Sequence, residues 1–299
     1  MSRQGYARPV SGAPTFDLQA HSQHSDGELP AADVVAGAAA AGVELFSLTD
    51  HDTIDGVGEA IEAGGRHGVR VVAGVELTAL RTDRDDLHLL GYDFDTLDHR
   101  LAERLETYRA DRELRAQRMA QRLEELGLTL ERAELEARRS AGKPIGRPHL
   151  AEAALAGEAN AHRLRSEGIF GVGDFIETYL VPGAPAWLPR LSPTVEEAIA
   201  AVQDAGGLAV WAHPFFELAD PEQVLEEIDR MRAAGLDGVE CFYPTHDAEQ
   251  VHLLCQRCEE AGLLRTGSSD FHGPHRPGAD RFRDFELYGR TPELGRIAG

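Results

Sequence analysis

Seven short apolar runs alternate with alanine-rich stretches of helical spacing, and this rhythm constrains the chain more than any other feature. The runs are residues 15–18, 45–49, 69–76, 87–92, 208–211, 238–242 and 263–267. They are brief and often β-branched, as buried parallel strands tend to be. Helical spacing is read over 31–41, 55–64, 194–205, 221–234 and 247–261. Repeated strand-helix units predict an α/β fold around a parallel sheet, open or closed. In such folds the polar residues that follow the strands converge on one face, where barrel and doubly wound enzymes place their chemistry. Residues far apart in sequence can therefore share a site.

A chain of 299 residues, 42% hydrophobic, can bury a full core and still carry an insertion. That insertion is expected at 95–190, where the strand rhythm stops. An Arg/Glu-rich stretch there places Leu97, Leu101, Leu105 and Tyr108, then Met119, Leu123 and Leu126, at helical spacing. Gly142, Pro144, Gly146 and Pro148 mark a turn before a further helix starting near His149, and Pro182, Pro185 and Pro189 mark the return. The main domain is then discontinuous, 15–94 and 191–290, between a polar tail at 1–14, expected to be disordered, and a C-terminal tail at 291–299.

No apolar run approaches the roughly 20 residues that span a bilayer, and the start lacks the apolar region of a signal peptide, so a cytoplasmic protein is expected. Three cysteines are too few for a disulfide framework. Cys255 and Cys258 form a C-x-x-C pair, but on an expected helix and without a second pair, which favours a core role over zinc or redox chemistry. Thirty basic against 51 acidic residues leave a net charge of −21, which opposes non-specific binding of polyanions such as duplex nucleic acid. A small or single-stranded phosphate substrate stays compatible, because bound divalent ions invert the local field.

The candidate ligands follow the strands. His21 follows the first, and Asp26 lies in a Ser-Asp-Gly turn from which a carboxylate can point back across the strand ends. His51 stands in Thr-Asp-His-Asp, Glu76 ends Gly-Val-Glu, and His88 opens His-Leu-Leu-Gly. His213 precedes Pro214, while Asp270 and His272 follow Gly267-Ser268-Ser269. Any one of these is more often a cap or a surface group. Eight in this arrangement point to a multi-metal site, for imidazole with carboxylate suits Zn²⁺, Mn²⁺ or Fe²⁺, and a Glu can bridge two ions. Ser22, Ser25, Ser268 and Ser269 sit in no nucleophile elbow and read as turn formers.

On these motifs, together with Asp17, the run from Ser47 to Thr53 and Gly146-Arg147-Pro148-His149-Leu150, the chain resembles the polymerase and histidinol phosphatase (PHP) superfamily. The likeness runs from about Thr15 to His272 and is strongest to stand-alone phosphoesterases that cleave nucleoside 3′,5′-bisphosphates and trim RNA from its 5′ end. It implies a distorted seven-stranded (β/α)7 TIM-like barrel with the helical insertion over the active site and two or three divalent ions, Mn²⁺, Zn²⁺ or Fe²⁺ rather than Mg²⁺. One ion would be held by His21, Glu76 and Asp270, a second by Asp26, His51 and His272, and a third by Glu76, His88 and His213. His51, Asp270 and His272 are the residues expected to carry catalysis by a metal-activated water. Asp50 and Asp52 would orient imidazoles. Arg147 and His149 would bind substrate, since a guanidinium fork fits a phosphate.

The chain departs from that pattern at Gln19, where the family has a first histidine. An amide oxygen is a poorer donor for Zn²⁺ or Mn²⁺, so Gln19 is at most a weak ligand, and His24 is a substitute at the wrong spacing. Three rivals are weighed. A lysine-bridged amidohydrolase is disfavoured because the single lysine, Lys143, lies in the insertion. A histidinol-phosphate phosphatase differs in substrate alone, and 146–150 with the insertion favour nucleotides. A non-catalytic metal-binding relative rests on Gln19. The expected partners are a small phosphorylated nucleotide or short single-stranded RNA, with no duplex and no membrane, and the protein itself is expected to be a monomer.

Overall fold

The computed structural model describes residues 14–82, 86–140, 145–189 and 193–299. The chain divides into two compact units: residues 1–79, 87–105 and 193–299 form the first, and 80–86 with 106–192 the second. These limits depart from the sequence expectation. The boundary falls inside a long helix rather than at residue 95, and a short segment at 80–86 joins the helical unit.

Seven strands form one sheet in sequence order. They are β1 (Phe16–Asp17), β2 (Leu45–Leu48), β3 (Arg70–Leu80), β4 (Asp86–Tyr92), β5 (Leu208–Trp211), β6 (Gly238–Phe242) and β7 (Leu264–Gly267). β1, β2 and β3 run parallel, as do β5, β6 and β7. β4 does not follow the parallel expectation: it pairs antiparallel with β5, Leu89 opposite Trp211. The physical reason is the short link from β3, which leaves no room for the crossover helix that a parallel neighbour requires. The sheet nearly closes through a parallel bridge between Ala20 and Phe271, reinforced by the His21 N–H donating to the Phe271 carbonyl at 2.8 Å. The seven-stranded α/β barrel is thus the observed fold.

Helices follow the expected spacing. α1 (Ala31–Ala40) buries Ala31, Val34, Val35 and Ala38, one face at 3.6-residue period, and α2 (Val57–His67) buries Val57, Ala60, Ala63 and Gly64. Ala31, Val34, Val35 and Ala38 of α1 and Ala60 and Ala63 of α2 form one apolar cluster with Phe46, Leu48 and Val69. A Cβ at Gly64 would meet Val71 and the Val69 carbonyl oxygen, so glycine sets the closeness of helix to strand.

The helical unit contains most of α3 (His99–Glu125), then α4 (Arg132–Ser140), α5 (Arg147–Ala156), α6 (Ala161–Ser166) and α7 (Val172–Tyr179). Among its described residues the only strand residues are Leu80, the last of β3, and Asp86, the first of β4. It has its own core around Met119, Leu123, Leu150, Phe175 and Leu180. Buried Asn160 ties it internally, accepting from the Thr129 N–H at 2.9 Å and donating to the Thr129 and Ala154 carbonyls at 2.7 Å. Leu97, expected on the apolar face, precedes the helix and is exposed. The expected start near His149 lies two residues earlier, while Gly142, Lys143 and Pro144 fall outside the described residues, as does nearly all of the N-terminal tail.

The chain returns through α8 (Val195–Asp204), α9 (Pro214–Glu217), α10 (Pro221–Ala233) and α11 (Ala248–Ala261). Thr194 and Glu197 form a reciprocal cap on α8, and Asp247 with Gln250 does the same for α11. The three cysteines are buried and free, with the Cys241 and Cys258 sulfurs 3.8 Å apart between β6 and α11. The last residues are anchored: Arg265 pairs with Glu293 and Ile297 is buried. Among the described residues no helix is long and apolar enough to cross a membrane.

Candidate metal centre

Glu76, buried on β3, is the hub of the cluster that follows the strands. Its Oε2 lies 3.0 Å from His21 Nε2 and 3.6 Å from His51 Nδ1, and its Oε1 lies 2.9 Å from His88 Nδ1 and 3.4 Å from His213 Nε2. Asp270 Oδ1 is 3.1 Å from His21 Nε2. Asp26 closes the other side, 3.6 Å from His21 Nδ1 and from His272 Nε2 and 3.8 Å from His51 Nε2. All eight candidate ligands are therefore brought together.

Their donor atoms form four compact groups: His21 with Asp26, His51 and His272; His51 with Glu76 and His88; His88 with His213 and Glu217; and His21 with Glu76 and Asp270. The last is a trio the resemblance implies. The first adds His21 to another of those trios, and Glu217 joins His88 and His213 without having been singled out in the sequence.

Polar atoms here lack the partners that burial demands. His21 Nε2 and Asp270 Oδ1, 3.1 Å apart, and His213 Nδ1 are buried without a hydrogen bond. His272 Nδ1 sits 2.8 Å from the Asp270 carbonyl, which can only accept, so that nitrogen carries the proton. Its Nε2 then faces the Asp26 carboxylate at 3.6 Å, a pair of donors that could share a cation between them. Orphaned nitrogens and carboxylate oxygens converging at such distances fit divalent ions.

Electrostatics agree. Burial alone would raise the Glu76 carboxyl, but the neighbouring imidazoles, His51 and His88 foremost, outweigh it and hold it well below the usual carboxylate range. Burial would lower His213, yet its contact with Glu76 and the charge of Glu217 push it up to about 10. Burial takes Glu217 itself up to about 7. Without cations the carboxylates draw protons onto His21 and His213; ions taking the protons' place would release them, so binding here would be coupled to pH.

The backbone is strained where ligands are presented. His213, Asp270 and Asp52 have φ of 28°, 52° and 53°, a region costing non-glycine residues of order 1–3 kcal/mol each. The turn carrying Asp26 needs its glycine, since a Cβ on Gly27 would strike the His21 carbonyl.

Residues 17–141 match the PHP domain family. The 3′,5′-nucleoside bisphosphate phosphatase of Chromobacterium violaceum is 31% identical over 267 residues, covering 89% of this chain and 90% of that protein. The chain belongs to the PHP family. It is a phosphoester hydrolase of the metal-dependent PHP type. A 5′-3′ exoribonuclease of Haemophilus influenzae is 30% identical over 259 residues, 87% of this chain and 90% of that one. A structure from Bifidobacterium adolescentis, described as a metal-dependent phosphoesterase, superposes with a TM-score of 0.73 at 29% identity, covering 96% of this chain and 95% of its own.

In this PHP protein Gln19 is fully buried and donates from Nε2 to Glu76 Oε2 at 3.0 Å, while its Oε1 accepts from Ser268 Oγ at 3.3 Å. A carboxylate only accepts, so the amide nitrogen must face Glu76; the carboxamide holds the hub carboxylate. His24 turns away toward Glu59 and is in none of the compact groups. Asp50 reaches an imidazole only through a serine, its partner Ser25 Oγ lying 3.4 Å from His21 Nδ1. It accepts from the Ser22 N–H, Ser22 Oγ and Ser25 Oγ at 2.6–2.7 Å, fixing the loop that bears His21 and Asp26. Asp52 accepts from the Thr78 N–H at 3.3 Å. Arg147 and His149 lie at the start of α5 in the helical unit, where His149 Nδ1 accepts from the Gly146 N–H at 3.0 Å as a helix cap.

The PHP centre has further supports. Glu217 accepts from the His88 N–H at 2.6 Å and from the Trp211 indole N–H at 3.0 Å. Glu240, pushed up to about 8 by burial, accepts from Ser268 Oγ at 2.5 Å and from the His213 N–H at 2.9 Å. Asp17 accepts from the Ser269 N–H and Oγ at 2.8 and 2.6 Å. Tyr243 donates its hydroxyl to Asp270 Oδ2 at 3.0 Å. Glu240 and Asp17 had a readable signal, a carboxylate inside an apolar run, whereas Glu217 and Tyr243 had none apart from closeness to His213 and β6.

Proposed function

We propose that this protein hydrolyses nucleoside 3′,5′-bisphosphates to a nucleoside monophosphate and inorganic phosphate, with removal of nucleotides from the 5′ end of short RNA as a second use of the same site. The observation that carries the reading is one buried carboxylate, Glu76, within 3.6 Å of four imidazoles, a donor set that suits two or three divalent ions. The substrate class comes from the relatives, one a nucleoside bisphosphate phosphatase and one an exoribonuclease.

Bound divalent ions would make water nucleophilic near neutral pH and neutralise phosphoryl oxygens. The chain's own residues do the rest. His21, Asp26, His51, Glu76, His88, His213, Asp270 and His272 would hold the ions, with Mn²⁺, Zn²⁺ or Fe²⁺ favoured by the imidazole-rich donor set. Gln19 and Tyr243 aim the carboxylates of Glu76 and Asp270, and Glu240 fixes the backbone at His213. His51, Asp270 and His272 carry turnover in this reading, and the protein acts as a monomer in the cytoplasm.

The test is phosphate release from adenosine 3′,5′-bisphosphate by metal-stripped protein resupplied with Mn²⁺, Zn²⁺ or Mg²⁺, beside a 5′-phosphorylated RNA. Turnover is expected only with metal, highest with Mn²⁺ or Zn²⁺. Metal-bound protein inert toward both substrates would overturn the reading.

Within it, Arg147 and His149 recognise substrate phosphate. Arg147→Ala is expected to lower kcat/KM for the bisphosphate roughly tenfold or more, as loss of a charge-assisted hydrogen bond does, and much less for a simple chromogenic phosphate. Equal effects on both substrates would make Arg147 a helix-start residue only.

A further inference from the structure

The short helix after His213 carries a large apolar side chain that metal binding does not use. Phe216 is 66% exposed, although an exposed phenyl forgoes the gain of burial. Its ring centroid lies 5.3 Å from that of His213, edge to face, and 6.4 Å from that of Tyr243. Tyr243 in turn lies 5.1 Å from His213, and its hydroxyl reaches Asp270. The two rings thus border the ligand cluster on its His213 and Asp270 side.

The backbone beneath Phe216 is held firmly. Pro214 opens the helix, the Phe216 N–H donates to the His213 carbonyl at 2.9 Å, and Glu217 is anchored by Trp211 and His88. An aromatic ring presented to solvent by a rigid turn, one residue's width from a phosphate-binding centre, is preorganised to receive a flat group attached to that phosphate through a sugar.

We propose that Phe216, backed by Tyr243, is the platform on which the nucleobase of the substrate stacks while its phosphate occupies the ligand cluster. The inference rests on the nucleotide reading of the site and deepens it. Stacking on a π-face is tolerant of base identity, so the platform recognises nucleotides as a class and makes little distinction among bases.

The experiment compares adenosine 5′-monophosphate with ribose 5-phosphate as ligands of the Mn²⁺-loaded protein by calorimetry, with phosphate release from adenosine 3′,5′-bisphosphate followed in parallel. The intact protein is expected to prefer the base-bearing ligand by roughly 5- to 150-fold, the range for loss of one base-aromatic stack. Phe216→Ala should erase that preference and Phe216→Trp keep it. The platform is overturned if the intact protein binds both ligands equally, or if the preference survives Phe216→Ala. The two ideas fail separately: preference without phosphate release sinks the bisphosphate reaction but keeps the platform, and phosphate release without preference does the reverse.

Discussion

Glu76→Gln is expected to end turnover. The substitution keeps volume and a hydrogen-bonding oxygen but removes the negative charge that four imidazoles surround. A neutral amide is a poor bridge between divalent ions, and Gln19, which donates to this group, would face an amide in place of a carboxylate. The ions are worth several kcal/mol of transition-state stabilisation, so kcat/KM should fall roughly a thousandfold or more. Elemental analysis should show fewer ions per chain at the same time. Near-normal rates with full metal content would remove Glu76 from the centre. His51→Ala and Asp270→Ala should lose activity likewise, with the fold largely retained.

Trp211→Ala should destabilise the barrel unit severely. Trp211 ends β5, is fully buried and pairs with Leu89 of β4. Removing the indole leaves a cavity that costs about 3–5 kcal/mol. It also strips Glu217 Oε2 of its donor at 3.0 Å, about a further 1–3 kcal/mol. Against a total stability of roughly 5–15 kcal/mol the loss is large. Urea unfolding should show a lowered midpoint, and Trp211→Phe should recover much of it by refilling the space. An unchanged midpoint for Trp211→Ala would mean that the strand end relaxes freely around it.

Much of the site was legible along the chain because ligands that follow parallel strands are presented by local geometry. His21, His51 and His213 each follow a strand, and the strand dictates where the side chain emerges, while Glu76 lies within β3, which runs on to Leu80. Asp26 was legible through its glycine, which the close approach to His21 requires. Glu217 was not. Its carboxylate reaches the centre only because β4 lies beside β5 and sets the His88 N–H within 2.6 Å. The hydrogen bonding of Gln19 was not legible for a related reason: it depends on which of its two amide atoms meets Glu76, which spacing does not encode.

The sequence by itself determined the alternation of strand and helix, the interruption by a helical unit and the identity of the eight candidate ligands. Burial periodicity and strand-end chemistry are local properties, and a linear pattern expresses them fully. Tertiary structure alone decided the antiparallel turn of β4, the use of Gln19 and Glu240 as supports, the entry of Glu217 and the exposure of Phe216 beside His213. Each depends on a contact between distant segments. Sheet pairing and side-chain packing choose such contacts by steric fit and hydrogen-bond satisfaction, and neither is written in the spacing of any one segment.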